Sequence, residues 1–227
     1  VNRGLFFDGC STGDIRSWRK QFGYFLRKLY LHQGEKQLLI KNPVYTGRFA
    51  MLKEMFPDAK FIHIHRNPYD VFVSMRNFYS KLLKEFALQG YAHVDIDETI
   101  LTVYERMMND YLRDAEGVPA DRLVELRYDE LDAEPIKSVE QVYRRLSLPG
   151  FDDARPKFER YLASVATFKK NKFDYSDEAA AKAEARLKPF LERWGYERPG
   201  RKAEDVAGPD NNDEGAEEGA SHGETAA

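Results

Sequence analysis

Three short apolar runs limit what this chain can fold into: QLLIK at 37–41, KFIHIH at 60–65 and RLVELRY at 122–128. Each is too short for an ordinary helix and is closed by Asn, Asp or Pro, so each reads as a buried strand. Between and after them, large residues recur at three- and four-residue spacing. Trp18, Phe22, Phe25 and Leu29 mark a helix over 11–30, which Ser11 or Thr12 could cap. Phe49, Leu52 and Phe56 mark another, ended by Pro57. Val71, Met75, Phe78 and Leu82 form a stripe after Pro68, and Tyr104, Met107, Met108 and Tyr111 read as core on a helix over 97–115. Further helices are expected near 135–146, 153–164 and 177–194. Strands separated by helices pair in parallel, because the chain must cross over before the next strand begins. The expectation is an α/β fold with a parallel sheet between two helical layers. Ligands of such sheets sit at the carboxyl ends of the strands, here Lys41-Asn42-Pro43, Arg66-Asn67-Pro68 and Tyr128-Asp129.

Charge narrows the ligand class. The net charge is −3, but eight acids and only two bases follow Gly200. The remainder is therefore mildly basic, which suits a small anion, and it has no Lys/Arg stripe of the kind that binds nucleic acid. Residues 200–227 lack aromatics and are expected to be a disordered acidic tail beside an α/β domain over 1–199. A lone cysteine, Cys10, excludes an intrachain disulfide. With no leader pattern and no membrane-length apolar span, a reducing, cytoplasmic setting is expected.

The segment FPDAKFIHIHRNPYDVFVSM, residues 56–75, carries the chemistry. A strand delivers Arg66 at its carboxyl end. Asn67 caps a helix, Pro68 takes its first position and Asp70 lies in its first turn. Ser74 follows two turns in. A phosphate at this corner could take the guanidinium fork and the serine hydroxyl. By spacing alone, Arg66 could equally pair with Asp70 while Ser74 serves packing. His63 and His65 share one strand face, but no third ligand stands at metal-binding spacing, so buried structural histidines are expected. Lys41 either reaches solvent or points at the ligand edge, and Arg48 is a surface arginine by default.

This segment resembles the 3′-phosphate-binding stretch of the sulfotransferase family, a strand, then Arg-x-Pro, then a helix with Ser eight residues after the Arg. Arg66, Pro68 and Ser74 match that pattern. LLIKNPVYTGRF at 38–49 is similar to the family's Lys-x-Pro strand end, and RYDELDAEP at 127–135 to its Tyr-(Asp/Glu)-x-Leu segment. FKKNKF at 168–173 with Trp194-Gly195-Tyr196 is similar to the close of bacterial members. The resemblance implies a P-loop-like three-layer fold and 3′-phosphoadenosine 5′-phosphosulfate as sulfonate donor, with no metal. It implies Arg66 and Ser74 on the 3′-phosphate, Lys170 as a second contact there, Tyr128 on the adenine side and Lys41 in catalysis. The acceptor would be a hydroxyl or amine on a small molecule or glycan.

Two features depart from the family pattern. The 5′-phosphosulfate strand and loop are expected upstream and are not found. Gly4 and Gly9 have phosphate-loop spacing, yet Cys10 stands where a lysine is needed, so a plain loop before the capped helix is expected. Tyr45 occupies the position where many members carry a His. The alternatives are a non-catalytic nucleotide-binding module or a P-loop nucleotide phosphotransferase. Deleting residues 201–227 should leave the melting temperature and helix content unchanged in a circular-dichroism melt, since the segment offers no core residues.

Overall fold

The computed structural model describes residues 2–168 and 177–197. In chain order the elements are α1 (Asn2–Phe6), α2 (Thr12–His32), a 3-10 turn (Pro43–Arg48), α3 (Phe49–Met55), β1 (Phe61–His65) and α4 (Pro68–Phe86). They continue with α5 (Ile96–Ala115), β2 (Leu123–Arg127), α6 (Tyr128–Ala133), α7 (Pro135–Arg145), α8 (Phe151–Ser164) and α9 (Asp177–Trp194). Local chemistry starts several of the helices. The Ser11 hydroxyl accepts from the Asp14 backbone N–H at 3.1 Å, while the Asp14 carboxylate accepts from the Ser11 N–H at 3.0 Å. That reciprocal pair satisfies two amides the first turn leaves open. At α4 the Asn67 side chain accepts from the Tyr69 N–H at 3.1 Å, with Pro68 at the first position.

β1 and β2 pair in parallel, with Ile62 opposite Val124, His63 opposite Glu125, Ile64 opposite Leu126 and His65 opposite Arg127. Alternation puts His63, His65, Glu125 and Arg127 on one face together with Phe61 and Leu123, and Ile62, Ile64, Val124 and Leu126 on the other. Tyr111 of α5 lies 3.9 Å from the His63 ring and Trp194 of α9 stacks on His65 at 4.7 Å, covering the first face. On the second, Val124 packs against Val142 and Leu146 at the end of α7. Helices thus lie on both sheet faces, as a parallel pair requires.

The run 37–41 does not form the expected strand. Its backbone enters no ladder, and Leu39 is 88% exposed. A strand exists only through its neighbour, and among the described residues the only pairing is that of β1 with β2. The upstream glycines are resolved in favour of the plain loop: residues 2–6 are helical and a turn over Asp8-Gly9 leads into α2.

Most of the core lies between α4, α5 and α9. Tyr69 and Phe72 of α4 meet Ile100, Leu101, Tyr104 and Met108 of α5 and Leu187, Phe190 and Trp194 of α9. Each such side chain contributes roughly 1.5–3 kcal/mol by leaving water. The stripe expected on α4 is only partly buried. Val71 and Met75 touch the core, but Phe78, Leu82 and Phe86 face outward. The three helices are also tied by Asp97, a nearly buried carboxylate bound by Arg76 at 3.0 Å and Lys182 at 3.1 Å. Asp97→Ala should lower stability by about 1.5–3 kcal/mol in urea unfolding, the magnitude of charge-assisted hydrogen bonds. Arg76→Ala should cost less, because Asp97 keeps Lys182 and the arginine is partly solvated.

Candidate functional site

The corner where β1 ends and α4 begins brings together two of the site residues that the resemblance implies, Arg66 and Tyr128. Arg66 follows the last residue of β1 and Tyr128 the last residue of β2, and parallel pairing therefore brings them side by side. The Arg66 guanidinium carbon lies 5.1 Å from the centre of the Tyr128 ring. Its Nε donates to Asp70 at 3.0 Å, across one turn of α4. Of the two spacing-based readings of Arg66, the pairing with Asp70 is present. The Asp70 pair holds Nε, and among the described residues neither Nη makes a hydrogen bond. Ser74 lies two turns along the same helix and is half-buried.

Lys41 is exposed and, among the described residues, no hydrogen bond, ion pair or ring contact joins it to Arg66, Ser74 or Tyr128. Lys170 lies outside the described residues. Arg48 is not a free surface cation. Its Nε donates to the Leu5 carbonyl at 3.1 Å, and its head lies 4.4 Å from the Phe7 ring and 4.6 Å from that of Trp18. Burial pushes its pKa down, and its role is to fasten the N-terminal turn.

Two residues that matter here fell within segments quoted for the resemblance but were given no role from the sequence. Tyr196, just past α9, donates its hydroxyl to the His65 carbonyl at 3.1 Å and lies 3.0 Å from His65 Nδ1. Burial pushes the Tyr196 hydroxyl up to about 12. Arg127 donates to the carbonyls of Trp194 at 2.5 Å and Gly195 at 3.2 Å, lies across the Tyr196 ring at 4.1 Å, and pairs with Asp129 at 2.6 Å. Asn67 adds a bond to the Glu197 carbonyl at 2.9 Å. The signal available was Gly195, which has φ 62° and so ends α9 by turning the chain back toward the sheet.

The histidines lie under covering helices, as expected. His63 and His65 are both buried, and His63 Nδ1 lies 3.5 Å from a Glu125 carboxylate oxygen. The His63 ring and the Tyr111 hydroxyl hold that carboxyl below its usual range. Among the described residues, no group of three or more His, Cys, Asp or Glu is arranged to hold a metal, and no helix is long and apolar enough to cross a membrane.

Fold and site together define an α/β domain that presents a cation and an aromatic ring at adjacent parallel strand ends. The profile of the Sulfotransferase family matches residues 11–153, and the chain belongs to that family. It is 29% identical over 194 residues to the omega-hydroxy-beta-dihydromenaquinone-9 sulfotransferase Stf3 of Mycobacterium bovis and, equally, of Mycobacterium tuberculosis. Those alignments cover 86% of this chain and 50% of the relative. The chain therefore spans half the length of the curated relatives it matches. The crystal structure of sulfotransferase STF9 from Mycobacterium avium shares the fold, with a TM-score of 0.59 at 18% identity over 74% of this chain and 44% of that one.

His65 supplies a pH test of this corner. Burial first, and then the neighbouring His63, lower its pKa from 6.5 to about 4. Between those values the unfolded chain binds a proton that the folded chain refuses, so this contribution to stability is full above about pH 6.5 and declines as the pH falls toward 4. Urea unfolding across that window should show the decline, and His65→Gln should flatten it. An unchanged slope in the variant would assign the decline to the carboxylates instead.

Proposed function

We propose that this chain is part of an enzyme that transfers a sulfonate group from 3′-phosphoadenosine 5′-phosphosulfate to an acceptor hydroxyl or amine. The observation that carries the reading is the Arg66 guanidinium. It stands at the carboxyl end of a parallel strand, is oriented through Nε by Asp70, and lies beside the Tyr128 ring. A fork held by one nitrogen has two amino groups left for a bidentate phosphate contact. In this reading Arg66 and Ser74 bind the 3′-phosphate, Lys170 adds a second cation, and Tyr128 lies toward the adenine. Lys41 offsets charge on the transferred sulfonate or on the leaving 5′-phosphate.

The reaction forms one bond and breaks one. The acceptor oxygen or nitrogen attacks sulfur, the bond from sulfur to the 5′-phosphate oxygen breaks, and its electron pair leaves on that phosphate. The acceptor's proton passes to a base or to solvent. The protein's share is positioning and cationic stabilisation, as in phosphoryl transfer. The mycobacterial relatives are named for an omega-hydroxylated dihydromenaquinone, and by that likeness we take the acceptor here to be a hydroxyl on an apolar small molecule.

The test is nucleotide selectivity. 3′-Phosphoadenosine 5′-phosphate should raise the melting temperature, by linkage worth about 2.7 kcal/mol at a hundredfold excess over Kd, and 5′-AMP should do so far less. Arg66→Lys should weaken binding in calorimetry nearly as much as Arg66→Ala, about tenfold to a hundredfold, because lysine offers a point charge in place of a fork. Ser74→Ala should cost less. Equal shifts with both nucleotides, or unchanged affinity in Arg66→Ala, would refute 3′-phosphate recognition and leave Arg66 as the partner of Asp70 alone.

A further inference from the structure

We infer that α2 lies on an anionic lipid surface, with its outward side against the head groups. The inference does not depend on the sulfonate-transfer reading. From Ile15 to Gly34 there is no acidic residue and there are five bases, Arg16, Arg19, Lys20, Arg27 and Lys28, in a chain whose net charge is −3. The helix is attached along one side only, and none of its residues is buried. Trp18 stacks on Phe22 at 4.9 Å and meets Phe7 at 5.4 Å, Phe22 reaches Phe56 at 6.1 Å, and Arg19 donates to Glu54 at 2.9 Å. At about 100° per residue, the opposite side carries Arg16, Lys20, Tyr24, Arg27 and Leu31. Among the described residues those three bases make no ion pair, and Lys28 beside them lies 5.5 Å from the centre of the Tyr24 ring. Tyr24 is 58% and Leu31 59% exposed, and Phe25 and Tyr30 on the flanks are 53% and 40% exposed.

Charge and apolarity together set the partner. Bases alone would make a solvated face, but bases interleaved with large apolar side chains on one helix mark a membrane-surface element. The unpaired cations require a negative partner, and Tyr24 and Leu31 between them require an apolar one. The side of a helix is convex and encloses no small anion, so the partner is itself a surface. An anionic bilayer supplies both requirements at the right depths. Its phosphates meet the arginine and lysine heads, whose long stems keep the charge at that level. The acyl boundary just beneath takes Leu31 and the Tyr24 ring, and tyrosine is enriched at such boundaries. The helix has 21 residues and is therefore about 31 Å long, a rod that can lie flat along the head groups. A nucleic-acid duplex would meet the bases but would set Leu31 and Phe25 against phosphates, where they gain nothing. An apolar acceptor of the kind proposed above would be dissolved in the same lipid phase.

The test is co-sedimentation of the full chain with vesicles of phosphatidylcholine alone and of phosphatidylcholine mixed with phosphatidylglycerol. Wild type should bind the mixed vesicles and bind the neutral ones far less. Each base near the surface should raise partitioning about fivefold, from about 1 kcal/mol, so Lys20→Glu with Arg27→Glu should lower it about thirtyfold or more. Lys20→Gln with Arg27→Gln should give a smaller loss. Added salt should weaken wild-type binding by screening. Tyr24→Ser with Leu31→Ser should also bind less, yet keep that salt dependence. All variants should retain wild-type helix content in circular dichroism, since the altered side chains face solvent. Equal sedimentation of wild type with the two kinds of vesicle overturns the inference, a comparison that needs no variant. So does undiminished binding by Lys20→Glu with Arg27→Glu. Tighter binding to a DNA duplex than to the mixed vesicles, untouched by Tyr24→Ser with Leu31→Ser, overturns it in favour of nucleic acid. A wild-type dimer in sedimentation velocity that Tyr24→Ser with Leu31→Ser dissociates overturns it in favour of a second copy.

Discussion

The Tyr196 hydroxyl grips the end of β1 through the His65 carbonyl. This contact, made from 131 residues away in the chain, anchors the candidate site. The carboxyl end of a strand is where its ladder stops and its backbone carbonyls lose their partners. Here Tyr196 satisfies one of them, Arg127 satisfies two carbonyls at the end of α9 in return, and Asn67 bonds the carbonyl of Glu197. The end of α9 is thereby fastened to both strands. Arg66 and Tyr128 are the next residues along those strands, so their relative position depends on the same fastening.

The polar economy of the region follows from burial. His63 and His65 lie under Tyr111 and Trp194, where a charge would be poorly solvated, and the neutral form of His65 is favoured accordingly. The cations at the strand ends stay nearer to water and carry carboxylate partners, Asp70 for Arg66 and Asp129 for Arg127. Such partly exposed pairs add little stability on their own. Their effect is to fix the direction of each guanidinium, which a binding corner requires.

α4 links this corner to the rest of the molecule. Its first turn is set by Asn67 and Pro68, its inner face packs on α5 and α9, and Asp97 ties it to both through Arg76 and Lys182. With the inner face occupied, the apolar residues toward its C-terminal end have no core to enter. The exposure of Phe78, Leu82 and Phe86 thus follows from how the helix is docked.

Much of the arrangement was legible in the residues. The period of the apolar positions located α2, α4 and α5 to within a few residues, and Ser11, Asn67 and Pro68 marked helix starts, because capping and periodicity are local properties of a chain. The placement of Arg66 just past a strand and of Ser74 two turns into the next helix was readable for the same reason. The shared strand face of His63 and His65 was legible from their spacing, and both are buried on it under Tyr111 and Trp194.

Other features are properties of pairs far apart in the chain, which no local pattern contains. The apolar run at 37–41 has the composition of a strand, yet a strand needs a ladder, and the ladder belongs to 61–65 and 123–127. Arg48 reads as a surface arginine until Phe7 and Trp18 close over it. Tyr196 reads as an aromatic after a helix until Gly195 turns it onto His65. The sequence by itself determined which residues could form helices, that Arg66 follows a strand and precedes a capped helix, and which family the chain resembles. Only the tertiary structure decided which strands pair, which face of α4 is buried and what holds the strand ends. Those outcomes turn on backbone bonds and apolar contacts between residues up to 131 positions apart, whose partners are chosen only as the chain packs.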